Sequence, residues 1–159
     1  MGKKGNVIVK DYEILARANQ FKKATKTLKE DSETIVPMEV NACFTCELYL
    51  KYLVYFKKNN VQEIESTIIK SQHNLKKLYD ELGDISKEMI KNEMQDEFEN
   101  RLEKAGVNFQ KIRYEYEYEE VTFSPGFLLQ FMDVLSEICN NLYYYQPPIF
   151  DGWYFYAQI

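Results

Sequence analysis

The sequence predicts an all-α protein, a four- to five-helix up-and-down bundle with an extended acidic segment before the last long helix. Three observations carry this expectation. Apolar residues recur three and four positions apart through most of the chain, which is the spacing of one helix face. One stretch, Val40 to Phe56, is apolar nearly all round, as a helix surrounded by others must be. Strict alternation, the strand signal, is confined to one short segment around Tyr114, Tyr116 and Tyr118.

The elements follow in order. Residues 11–29 read as a first helix, with Ile14, Ala18, Phe21 and Leu28 on one face and Asp11 placed to cap its start. Lys22, Lys23, Lys26 and Lys29 lie late in it, where cations suit the helix dipole. Asp31 to Pro37 is a connection, and Pro37 suits a first helical position. In the central stretch to Phe56 the charges are Glu47 and Lys51, four apart with Glu first, so they share a face. Lys57, Lys58, Asn59 and Asn60 end that helix. Val61 to Ser71 reads as a short helix, continued or restarted over His73 to Leu82 and stopped by Gly83. Ile85 to Ala105 is charged and amphipathic, with Met89, Ile90, Met94, Phe98 and Leu102 as its apolar positions and Gly106 as its end. Residues 112–123 are extended, Tyr alternating with Glu115, Glu117 and Glu119. Ser124-Pro125 then supplies a cap and a first-turn proline for a long helix to about Tyr145, with Phe127, Phe131, Val134, Ile138 and Leu142 as its stripe.

The chain of 159 residues reads as a single domain, core about 11–145 with an apolar tail at 146–159, because no Ser/Gly-rich linker or repeat divides it. Trp153-Tyr154-Phe155-Tyr156 would be a sticky patch if exposed, so the tail packs on the core, on a partner subunit, or as a second strand beside the Tyr/Glu segment.

Composition excludes several function classes. One His cannot supply a three-His zinc site, and neither phosphate-loop glycine pattern occurs among six Gly. A hydrophobic share of 45% argues against intrinsic disorder. The net charge of −5 argues against a generally basic nucleic-acid binder, while leaving a local basic patch open. No segment approaches the roughly 18 uninterrupted apolar residues of a membrane span, and no apolar run follows Met1-Gly2-Lys3-Lys4, so no membrane association and no secretory signal are expected. Three Cys read as reduced thiols of a cytoplasmic protein.

Few residues are equipped for chemistry. Cys43-Phe44-Thr45-Cys46 is a CxxC, but it lies inside a helix, without the preceding strand of a redox motif, and reads as core. A zinc set of Cys43, Cys46, Cys139 and His73 is formally available, yet no metal and no cofactor is expected. His73, the single imidazole, is the residue whose ordinary pKa suits acid–base work near neutral pH. Arg113, within Arg113-Tyr114-Glu115-Tyr116-Glu117, is either a surface cation paired with Glu or a phosphate grip. A Glu–Lys pair in an apolar helix must be satisfied, which predicts one polar network of Glu47, Lys51, His73, Arg113 and Glu117.

Three stretches together resemble the HEPN family, helical domains of prokaryotic toxin–antitoxin and phage-defence systems. Asn41 to Lys51 resembles its "A…E-L-x-L-K" helix, His73-Asn74-Leu75-Lys76-Lys77-Leu78 its "H-D-L-x-x-L" segment with Asn74 in place of Asp, and Phe109 to Glu117 the "F-x-x-x-R-Y-x-x-E" segment of one subgroup. The resemblance implies a helical bundle, commonly a homodimer, and in many members a metal-independent endoribonuclease with Arg followed four to six residues later by His. No His follows Arg17, Arg101 or Arg113 at that spacing. The implied function is therefore a module acting mainly by protein–protein association, with itself or with a nucleotidyltransferase-type partner. The alternative it implies is an endoribonuclease or RNA-binding protein with His73 as acid–base and Arg113 as phosphate clamp.

Overall fold

The computed structural model describes residues 11–60, 73–95, 97–112 and 124–144. They are helical almost throughout, and six α-helices form an all-α bundle: α1 (Asp11–Lys29), α2 (Ile35–Asn60), α3 (Leu75–Asp80), α4 (Asp84–Met94), α5 (Phe98–Ile112) and α6 (Pro125–Tyr144). The short helix expected at 61–71, the extended segment from residue 113 onward and the apolar tail lie outside the described residues.

The central position of α2 follows from its sequence. It is buried on every side, with Ala42, Cys43, Cys46, Tyr49, Leu50, Tyr52, Leu53, Val54, Tyr55 and Phe56 all in the core. It is longer at both ends than the apolar run. A 3₁₀ turn, Ser32–Thr34, leads in from Asp31, whose side chain accepts from the Glu33 N–H, so Pro37 occupies the third helical position, still in the first turn where no intrahelical donor is missed. Despite its length, no helix among the described residues is long and apolar enough to cross a membrane.

α1 packs antiparallel to α2. The Asn41 amide donates to the Phe21 carbonyl and to Thr25 Oγ1, and Phe21 meets Phe44 edge-on at 4.8 Å. The buried face of α1 is Leu15, Ala18 and Thr25, one step around from the expected stripe, and Phe21 stays partly exposed over Phe44. α6 runs parallel to α2: Cys46 Sγ reaches the Leu128 carbonyl at 3.8 Å and Cys139 Sγ the Tyr49 carbonyl at 3.7 Å. α1 and α6 are therefore antiparallel, and Lys22 Nζ pairs with Asp133 at 2.9 Å across them.

A polar seam crosses this three-helix contact. Asn19 and Asn140 exchange amide hydrogen bonds at 3.0 and 3.1 Å, the Tyr49 hydroxyl donates to Asn19 Oδ1 at 2.7 Å, and Asn140 donates to the Ser136 carbonyl at 2.7 Å. Buried polar groups are tolerated when paired in this way.

The second half differs from expectation in where its helices begin and end. The expected helix over 85–105 is two helices, broken at Gln95–Glu97, and α5 continues through Gly106 to Ile112. A glycine stops a helix when it takes the left-handed conformation after the last turn; inside a helix it merely weakens it. Here the left-handed positions are Gln95 (φ 67) and Glu97 (φ 62). Likewise, α3 ends at Asp80, and Gly83 caps the start of α4 rather than ending the helix before it. The two halves meet in an aromatic cluster: Phe98 packs on Tyr79 at 5.3 Å and on Phe131 at 5.2 Å, Phe131 stacks on Phe127, and Arg101 lies over Phe127 at 4.5 Å.

Candidate functional site

The polar residues singled out in the sequence converge around one buried carboxylate. Glu47 sits mid-way along α2 with 1% of its side chain exposed. An ionised carboxylate there is costly unless it is paired and hydrogen-bonded. Lys51, one turn later on the same face, meets that need: its Nζ donates to Glu47 Oε1 at 2.5 Å. The second partner comes from another part of the chain. His73 precedes Asn74, whose side-chain oxygen accepts from the Lys77 N–H and starts α3. That cap fixes the chain direction just after His73, and the imidazole Nδ1 lies 3.2 Å from Glu47 Oε1 and 3.1 Å from Oε2.

Glu47, Lys51 and His73 are thus brought together. Arg113 and Glu117, the other expected members, lie outside the described residues. Exposure is graded across the three: Glu47 is enclosed, Lys51 is 20% exposed and His73 is 46% exposed. The buried carboxylate therefore anchors two nitrogen donors that reach toward the surface. Nδ1 faces both carboxylate oxygens, so a proton on Nδ1 makes this contact a hydrogen bond to Glu47.

The cysteines are excluded from any thiolate chemistry by their surroundings. Burial pushes the Cys43 thiol up, reinforced by nearby Glu39 and Glu47; burial likewise pushes up Cys46 and Cys139. A thiolate is the form that attacks disulfides and binds metals, and these remain protonated. Among the described residues no group of three or more His, Cys, Asp or Glu side chains could hold a metal ion.

Two polar features escaped the sequence reading. One is the Asn19–Tyr49–Asn140 seam. Its only trace in the sequence is an amide on an otherwise core-facing turn of each helix, at Asn19 next to Ala18 and at Asn140 next to Cys139. The other is Tyr79, fully buried with a hydroxyl that has no hydrogen-bond partner among the described residues. Lys76 and Lys87 flank its ring, each 5.9 Å from the centroid, and burial, with Glu99 and Asp80 nearby, pushes its phenol up to about 12. No protein-family model, no curated protein and no solved structure matches this chain.

Proposed function

We propose that this chain is a HEPN-like helical module of a prokaryotic toxin–antitoxin or defence system, acting mainly by protein–protein association as a homodimer or with a nucleotidyltransferase-type partner. The order and spacing of the Asn41–Lys51, His73–Leu78 and Phe109–Glu117 stretches support the family. One observation carries the association reading. Tyr143 and Tyr144, an edge-on pair at 5.5 Å, are exposed at the end of α6, Tyr144 by 76%. Because α1 is antiparallel to α6, exposed Tyr12 projects from the same end of the bundle. Tyrosine is enriched at protein contacts because it offers a large rigid apolar surface with a polar tip. The test is light scattering on the purified chain. A dimer that dissociates in Tyr143→Glu/Tyr144→Glu, or a stable complex with the product of a neighbouring gene that the variant loses, supports association. A monomer that forms neither refutes it.

A second reading is favoured by the His73–Glu47 contact. A carboxylate on Nδ1 orients an imidazole for proton transfer at Nε2, the general acid–base role that a metal-independent endoribonuclease requires of a side chain. In that reading His73 is the acid–base group and Arg113 the phosphate clamp. Metal-free RNA cleavage that disappears in both His73→Ala and Arg113→Ala is its test; no cleavage by the wild-type chain refutes it.

A further inference from the structure

We propose that the junction between α4 and α5 is a hinge through which two copies of this chain exchange α5 and α6, and that opening it turns residues 84–112 into one continuous helix. This exchange rests on the homodimer arm of the association reading and is independent of the exposed tyrosines. Ile90, Met94, Phe98 and Leu102 recur four apart straight across the junction, the spacing of one helix face, and all four are buried. Neither glycine nor proline stands at 95–97 to stop a helix. The break is made instead at Gln95 (φ 67, ψ −167) and Glu97 (φ 62), two residues with long side chains in backbone regions that favour glycine. Gln and Glu are good helix formers, so a continuous helix relieves both. A lone chain cannot straighten there without carrying α5 away from Tyr79, on which Phe98 packs, and α6 away from α2. A second copy removes that cost. Because the copies are identical, each contact that α5 and α6 make with the first four helices reforms between them, Phe98–Tyr79 and Lys76–Glu99 included, and the junction is what differs. Short hinges under strain invite such exchange. One contact opposes it: Lys91 Nζ meets Glu99 at 2.6 Å across the break, eight residues apart, whereas side chains along a helix pair three or four apart. Both side chains are about half exposed, where an ion pair is worth little, so two strained residues per chain outweigh it.

Exchange leaves a signature that ordinary dimers lack: a distance found within the monomer reappears between chains. Lys77 on α3 and Lys104 on α5 are exposed, and the three native thiols are buried, so Lys77→Cys and Lys104→Cys accept spin labels in the full chain. The doubly labelled chain, kept dilute, gives the distance within a monomer by electron paramagnetic resonance. The two singly labelled chains, unfolded in urea, mixed and refolded together at high concentration, give the distance between chains in the dimer. The two distances are expected to coincide. The second arm is Gln95→Gly/Glu97→Gly, which relaxes the broken junction and weakens the continuous helix. Its dimer should require concentrations about tenfold or more above those of the unsubstituted chain, read by light scattering. Tyr143→Glu/Tyr144→Glu should leave the exchanged dimer in place. A dimer whose distance between chains differs from that within the monomer, or a glycine pair that dimerises as readily as the starting chain, overturns the exchange and leaves the homodimer reading standing. A chain that stays monomeric at every concentration overturns both, while a complex with a neighbouring gene product is still read by its own test.

Discussion

Removing Lys51 should destabilise the bundle far more than removing Lys51 and Glu47 together. In Lys51→Met the ammonium 2.5 Å from Glu47 Oε1 is lost, and the carboxylate stays enclosed with His73 as its remaining partner among Glu47's described contacts. Breaking one side of a buried ion pair costs about 3–5 kcal/mol. Lys51 is one-fifth exposed and the imidazole remains beside Glu47, so a loss of about 2–4 kcal/mol is expected. In Glu47→Gln/Lys51→Met both charges go and shape is nearly kept, and such replacements fall within about 1 kcal/mol of the starting protein or stabilise it. The cycle is completed by Glu47→Gln, expected to cost about 1–2 kcal/mol because Lys51 can turn to water. The assay is urea unfolding followed by helical circular dichroism. With a slope of about 2 kcal/mol per molar urea, Lys51→Met lowers the midpoint by roughly 1–2 M while the pair leaves it nearly unchanged. A Lys51→Met midpoint equal to wild type, or a double variant as unstable as the single one, refutes the description of Glu47 as a buried charge that Lys51 compensates.

Other outcomes follow from single features. Tyr79→Phe should be neutral or stabilising by up to about 1–3 kcal/mol, since it removes a buried hydroxyl without a partner among the described residues; a clear loss of thermal stability contradicts that environment. Gln95→Gly should raise stability by about 1 kcal/mol, because φ 67 and ψ −167 belong to a region that glycine occupies without strain; an unchanged or lowered melting temperature counts against it. Burial holds Tyr49 and Tyr79 at about 12, against about 10 in the unfolded chain. The raised folded value means the native state keeps those protons, so the stability they contribute is whole below pH 10 and is lost as pH rises from about 10 to 12. Tyrosinate absorbance at 295 nm should therefore show a late fraction whose appearance coincides with unfolding. None of the three thiols should react with iodoacetamide in the native state, even in mildly alkaline buffer, and all should react in urea.

Much of the fold is legible where local rules and tertiary packing agree. The bounds of α1 and α6 agree with those expected from their apolar spacing, with Pro125 as the first residue of α6, and the enclosure of α2 follows from its all-round apolarity. The break between α4 and α5 is not legible, because it depends on two non-glycine residues adopting left-handed backbone, which no sequence pattern signals. Gly106, the residue that does look like a stop, lies within α5. At the site, the Glu47–Lys51 contact is readable from i,i+4 spacing alone. The arrival of His73 beside them depends on how α3 docks, and the sequence points to it only through the need of a Glu–Lys pair in an apolar helix for further polar partners. The Asn19–Tyr49–Asn140 seam is invisible for the same physical reason: its partners are 30 and 121 residues apart, and side-chain amides carry no periodic signature.

The parallel contact of α2 with α6 has a consequence for how this chain can vary. Cys46 meets Leu128, and Tyr49 meets Cys139, across 82 and 90 residues of sequence. Closing such a loop costs entropy that grows only with the logarithm of its length, about 0.6 kcal/mol for each doubling. The trio of α1, α2 and α6, joined by its own amide seam, thus constrains the length of what lies between α2 and α6 very little. Residues can be added or removed between Asn60 and Ser124 at small thermodynamic cost provided the faces that meet α2 and α6 are kept. Folding speed carries the same imprint: the α1–α2 hairpin is local and quick to form, whereas seating α6 alongside α2 closes a long loop and is slower.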